Sequence, residues 1–245
     1  MASYPNSSKV FTTKQDQDFV LPGHVNDLQA EIKAMEDQLI GSKLAKLTSL
    51  DGWIPVSDTW TYNAADKINV PSGAANIYSV GMGIRLTANG VVKQAYIVKV
   101  ENTLLTVIGD ALTNYTFSAI SYAPNPQTAV GFPATFSWTP VCSASGGGTL
   151  TSYTSSGLLA IVGKVATLGF TVTATNASGG GYIVINTPFP LGNIVQAGIA
   201  RENVVVGKAV TVHCTTTQMT LYLYDNGDTC VTNYSISGAV TALMQ

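Results

Sequence analysis

Charge is what this 245-residue chain has least of: Lys and Arg number 12, Asp and Glu 14, and together they supply 11% of the residues. Ordinary soluble domains carry roughly 25%. The formal net charge is −2 and no basic stripe occurs, so nucleic-acid binding by phosphate neutralisation is not expected. Histidine is scarcer still, with only His24 and His213, too few for the convergent titratable groups of an enzyme. Three cysteines, Cys142, Cys214 and Cys230, stand outside any Cys-x-x-Cys pattern, which supports neither a zinc site nor a redox motif. They read as buried free thiols first and as a disulfide second.

Other absences narrow the field further. There is no Gly-x-Gly-x-x-Gly, no Walker loop and no Gly-x-Ser-x-Gly elbow, so no cofactor is expected. The longest apolar stretch, Gly157 to Ala174, is broken by Lys164 and dotted with Gly and Thr. It reads as two strands, whereas a membrane span needs about 20 predominantly apolar residues. Met1 to Asn6 lacks the basic start and apolar core of a secretory signal. No membrane insertion is expected, and folding is expected in a cytoplasm.

Residual chemistry is thin. His213 and Cys214 are adjacent, and adjacent strand residues point to opposite faces, so they cannot pair as base and nucleophile. Acidic residues of the C-terminal part are Glu202, Asp225 and Asp228, while glycoside hydrolysis needs two carboxyls facing each other across a cleft. Asp225 and Asp228 flank Asn226-Gly227, where turn chemistry is their ordinary role. Two carboxylates also fall short of the six to eight oxygens that calcium takes. An enzyme is not expected.

What the chain does have begins with a stripe. Leu21, Val25, Leu28, Ile32, Met35 and Leu39 follow at alternating steps of four and three, the seam of a coiled coil whose helices bury it against copies of themselves. The alternative is an amphipathic helix packed on its own β domain. Pro22 suits a first helical turn, and Gly41-Ser42 interrupts the run. With Val25, Ile32 and Leu39 at a, the β-branched residues lean towards a dimer, a lean weakened by Met35 at d and Leu39 at a. Three heptads span only about 30 Å and are marginal alone. Residues 1–20 are polar and aperiodic, an arm that would order only against a neighbour.

After Asp51 the pattern turns to short strands: Asp58–Tyr62, Lys67–Val70, Gly83–Thr87, Val91–Val100 and Thr103–Ile108. Val92, Gln94, Tyr96, Val98 and Val100 share one face, and matching it to Ile84 and Leu86 calls for a bulged three-residue turn at Asn89-Gly90 that pairs Leu86 with Val92. Tyr122 to Gln127, with prolines two apart, reads as a linker. Beyond it Thr167–Thr175 alternates, with Leu168, Phe170, Val172 and Ala174 inward and the threonines outward. Met219–Tyr224 alternates as well, before a turn into a strand from Thr229 to Ile236. Two Gly-rich loops, Ser145–Gly148 and Ser178–Gly181, are placed at the same end of this part. The expected fold is mainly β: an attachment arm (1–20), a coiled-coil helix (21–50), and two antiparallel β-sandwich or barrel domains (51–130 and 131–245). Tyr222 and Tyr224, on one strand face, are candidate ligand-binding residues, because tyrosine beside Ser, Thr and Asn suits saccharides or protein surfaces. The alternative is that they line an inter-subunit contact or pack on the core.

Gly52-Trp53, Trp60-Thr-Tyr62, Ile68-Asn-Val70, Tyr78 to Thr87 and Tyr96 to Val100, followed by Gly131-Phe-Pro133, resemble a module of bacteriophage minor structural and tail-fibre proteins. Phe136-Ser-Trp-Thr-Pro140 and the Gly-rich strands after it are similar to the C-terminal heads of such fibres. The resemblance covers roughly residues 50–245 and is a pattern, not a catalytic signature. It implies a homotrimeric, non-enzymatic virion component of tail fibre, spike or baseplate, assembled in the host cytoplasm. Residues 1–20 would grip another tail, baseplate or capsid protein, and the head would face outward to a host-surface glycan or protein. A carbohydrate-binding receptor-recognition protein and a capsid-attached head fibre or decoration protein are the alternatives. The chain departs from fibres in being short and lacking a long shaft.

Overall fold

The computed structural model describes residues 29–35, 51–192 and 196–245. Residues 29–35 are helical, and Ile32 and Met35 are 44% and 47% exposed. Leu21, Val25, Leu28 and Leu39 of the stripe, and the arm 1–20, lie outside the described residues. The chain divides into compact units of 1–50 and 51–245, and the second is mainly β, built on two curled antiparallel sheets.

The first sheet runs in the order β1-β7-β4-β5-β6-β3-β2, from β1 (Ile54–Pro55), β2 (Thr61–Ala64), β3 (Lys67–Asn69), β4 (Gly83–Ala88), β5 (Val91–Glu101), β6 (Leu104–Gly109) and β7 (Phe117–Ala123). Its core gathers Trp60, Ile68, Ile84, Leu86, Ile97 and Leu105. The β4–β5 hairpin corrects the sequence reading. Leu86 pairs with Lys93 and Ala88 with Val91, so Asn89-Gly90 is a strict two-residue turn. Both turn residues have positive φ, 50° and 75°, the geometry that matches strand twist and favours Asn-Gly. The expectation of a bulge assumed that β5 buries one face. It buries both: Ala95 and Ile97 join the first core, while Tyr96 and Val98 join the second. A bulge between Ile97 and Lys99 then returns Val100 to the first core.

Between the sheets the chain makes a single 3₁₀ turn, Pro126–Thr128, and Gln127 Nε2 donates to the Ile161 carbonyl. Phe132 contacts Trp53, Tyr96 and Phe136 with ring centroids 5.8, 4.9 and 5.6 Å away. These tilted and edge-on contacts are the favoured aromatic geometry. The Trp53 indole N–H donates to the Val130 carbonyl at 2.9 Å, and the Arg85 guanidinium stacks over its ring at 4.4 Å.

The second sheet has nine strands in the order β8-β10-β11-β16-β13-β14-β15-β12-β9. They are β8 (Phe136–Trp138), β9 (Val141–Ser145), β10 (Thr149–Val162), β11 (Val165–Ser178), β12 (Tyr182–Asn186), β13 (Gln196–Glu202), β14 (Ala209–Cys214), β15 (Gln218–Leu223) and β16 (Ser235–Leu243). Its edge strands β8 and β9 are consecutive, so Thr139-Pro140 draws the two ends of the sheet together. Ser155 Oγ donates to the Pro140 carbonyl at 2.7 Å, and Cys142 N–H donates to Tyr153 Oη at 3.0 Å. The curl surrounds one core to which all nine strands contribute. On β11, Leu168, Phe170, Val172 and Ala174 point into it, as the alternation requires.

The strand expected from Thr229 to Ile236 does not form as one element. Strand β16 begins only at Ser235, and Asp225–Asp228 is not a hairpin turn between paired strands. Hydrogen bonds elsewhere hold that segment. Gly181 N–H donates to Asp228 Oδ1 at 2.7 Å, Ile183 N–H to Thr229 Oγ1 at 2.9 Å, and Thr229 Oγ1 to the Leu221 carbonyl at 2.8 Å. The two Gly-rich loops pack on one another at this end, where a Cβ on Gly148 or Gly181 would meet the carbonyl of Gly180 or Ser145.

Candidate binding surface

Strand β15 carries Met219, Leu221 and Leu223 inward, which leaves Thr220 and Tyr222 on the outer face. Thr220 pairs with His213 on β14 and with Val184 on β12. His213 and Tyr182 therefore share that face with Tyr222, one at each side. The Tyr182 and Tyr222 ring centroids are 4.4 Å apart at 53°, and His213 lies 5.1 Å from Tyr222 at 56°. Val184 is buried although it points outward, so neighbouring side chains cover this stretch. Gln218 Nε2 donates to Asn186 Oδ1 at 3.4 Å beside the row.

Tyr222 is therefore part of a three-ring row, and Tyr224 is not. Tyr224 lies past the end of β15, 65% exposed, its N–H donating to the Ala209 carbonyl. Next to it Lys208 Nζ meets Asp225 Oδ2 at 2.6 Å, and each holds the other charged: the lysine is shifted up and the carboxyl down by their hydrogen bond. Sequence reasoning missed Tyr182 and His213 as neighbours of Tyr222, because the β12–β15–β14 order is long-range. The row offers aromatic edges with hydroxyl and amide groups beside them. Such groups can stack and hydrogen-bond.

His213 and Cys214 point to opposite faces, the histidine outward and the thiol into the core. All three cysteines are free and buried. Burial pushes the Cys142 thiol up to about 12 and the Cys214 thiol to about 11. Burial, with the Asp228 carboxylate second, raises Cys230. At neutral pH none is a thiolate, the form in which a cysteine attacks or ligates.

Among the described residues, Glu202 accepts the largest set of backbone hydrogen bonds. It is fully buried at the end of β13, and its carboxylate accepts from the loop that follows. Oε1 takes the N–H groups of Val204 and Val205 at 2.9 and 3.1 Å, together with Ser235 N–H from β16 at 3.2 Å. Oε2 takes those of Val205, Val206 and Gly207 at 3.0, 2.7 and 3.0 Å. Burial alone would raise the carboxyl, but the amides of Val204, Gly207, Val206 and Val205 outweigh it and hold it at about 2. The clamp displays Val204, Val205 and Val206 to solvent. Arg201-Glu202-Asn203 gives no local sequence sign of it beyond an acidic residue five positions before a glycine.

No protein-family model, curated protein or solved structure matches this chain.

Proposed function

We propose that this chain is a structural, non-catalytic component of a bacteriophage virion: a homotrimeric tail-fibre, spike or baseplate protein. It is attached through residues 1–20 to a tail, baseplate or capsid protein, and its C-terminal β head faces the host. The observation that carries the self-association is the exposure of Ile32 and Met35, two consecutive seam positions, on the helix of residues 29–35. Two exposed apolar residues at seam spacing suit burial against copies of the same helix. The phage context rests on the resemblance of residues 50–245 to fibre modules, with which a mainly β unit of two curled sheets is consistent.

Light scattering on the full chain tests this reading. The wild type should run as a trimer, and Ile32→Asp, which puts a charge into every copy of the seam, should lower the mass at micromolar concentration. A wild-type monomer overturns it. A second reading, a carbohydrate-binding receptor-recognition protein, is favoured by the Tyr182–Tyr222–His213 row. A glycan array without a specific binder would remove that second reading and leave the first.

A further inference from the structure

Between β13 and β14 the chain crosses from Glu202 to Ala209 at one end of the second sheet. Val204, Val205 and Val206 in this crossing are 66%, 55% and 39% exposed, and among the described residues they are the one run of three consecutive exposed large apolar side chains. Contiguous exposed apolar groups mark contact sites, where scattered single ones do not. This run is also held in place. Asn203 N–H donates to the Ser235 carbonyl at 2.8 Å, and those of Val204, Val205, Val206 and Gly207 donate to the Glu202 carboxylate.

The wrapping has two effects. The loop is ordered before any partner arrives, so docking costs little conformational entropy. Every N–H from Asn203 to Gly207 has a partner inside the molecule, so apolar surroundings strand none of these donors. Position adds to this. Along the β11–β16 ladder, Val165 pairs with Leu243 at one end and Thr173 with Ser235 at the other. The first end carries the turn at Gly163, which lies against Gly81, just ahead of β4. The valine loop is at the other end, since Glu202 pairs with Ile236, roughly 27 Å away at 3.4 Å per residue. Arg201 is exposed, lies against Gly207 and makes no ion pair among the described residues. Tyr224, 65% exposed, is tied to Ala209, just past the loop, by its N–H at 3.0 Å.

We propose that Val204–Val206 is a contact tip for a phospholipid surface, the valines entering the boundary between headgroups and acyl chains. Three features favour lipid over a protein pocket. Consecutive valines on a bend project in different directions, which a fluid medium surrounds and a single protein face does not. Tyr224 brings an apolar ring with a hydroxyl, a combination that suits the headgroup level. Arg201 offers a fork of donors to a lipid phosphate. Lys208, in contrast, is already held by Asp225 at 2.6 Å, so attraction to anionic lipid comes from Arg201. No span is involved: a loop of this length reaches only the boundary. The proposal goes beyond the virion reading and does not depend on self-association.

Flotation of the full chain with vesicles of phosphatidylcholine, alone or mixed with phosphatidylglycerol, tests it. The wild type should float with both, more strongly with the mixture. Val204→Ser combined with Val205→Ser should leave the melting temperature unchanged and lower the partition coefficient at least about tenfold. Arg201→Gln should lose the preference for the mixture and keep the binding to phosphatidylcholine; an unchanged preference overturns the phosphate contact. Val205→Cys supplies a readout that survives if the serine variant is destabilised. The native cysteines are buried, so a polarity-sensitive fluorophore attached at the new thiol reports on the tip and should shift to the blue on vesicles. A wild type that floats with neither vesicle, a serine variant that floats as the wild type does, or a fluorophore that does not shift overturns the proposal. A trimer that binds no vesicle overturns the tip and leaves the virion reading standing, and a monomer that binds through the valines does the reverse. If the wild type binds no vesicle and the serine variant loses mass in light scattering, the tip belongs to a contact between copies and the proposal falls.

Discussion

Glu202→Gln removes a charge from the centre of a network while keeping the shape of the side chain. Among the described residues, six hydrogen bonds reach the carboxylate, all from backbone N–H groups, with Ser235 the one donor outside the loop. Glutamine keeps one acceptor oxygen and turns an –NH₂ group towards amides that are themselves donors. Part-buried amides then lose their partner. The depression of the carboxyl from 4.5 to about 2, at 1.36 kcal/mol per unit, corresponds to roughly 3 kcal/mol favouring the ionised, folded form. That loss is about 6–12 °C in melting temperature for a unit of this size. The pH dependence has a definite sign. Because the folded state holds the carboxyl below its unfolded value, the contribution is complete above about pH 4.5 and disappears as pH falls towards 2. Urea unfolding followed by tryptophan fluorescence should show a lower midpoint for Glu202→Gln at pH 7. Between pH 4.5 and 2 the wild type should lose about 3 kcal/mol more than the variant, so that the two curves converge in acid. Equal midpoints at pH 7, or parallel pH profiles, would refute the clamp.

Two further outcomes follow from packing and from the aromatic row. Gly157→Ala places a Cβ against the Trp138 indole, whose N–H donates to the Gly169 carbonyl at 3.1 Å; we expect a loss of about 1–3 kcal/mol in chemical denaturation, and an unchanged midpoint would show that the indole has room to move. Tyr222→Ala should abolish any binder found on a glycan array, while Tyr224→Ala, outside the ring contacts, should leave it within twofold; equal effects would detach recognition from the row.

The alternation of β11 and β15 was legible in the sequence because each buries one face, so a period of two reports directly on burial. Strand β5 was not, since Ala95 and Ile97 face one core and Tyr96 and Val98 the other. Pattern matching then placed the hairpin one residue out of register, although Asn89-Gly90 itself signalled the tight turn. The free thiols were legible from spacing. The segment after Asp228 was not, because Asp228 bonds to Gly181, just ahead of β12, and Thr229 to Ile183 of β12 and Leu221 of β15, more than forty positions upstream and eight positions back. For the same reason Tyr222 could be named from its strand, but its partners Tyr182 and His213 could not. Long-range pairing, which a local pattern does not encode, put them together.

The measurement that bears most directly on the account is electron microscopy of intact phage particles labelled with an antibody against residues 51–245. The account predicts label at defined positions on the particle exterior, on the tail, baseplate or a surface spike, with density of threefold symmetry at each. Particles that carry no label, with the protein confined to the soluble fraction of the lysate, would contradict it.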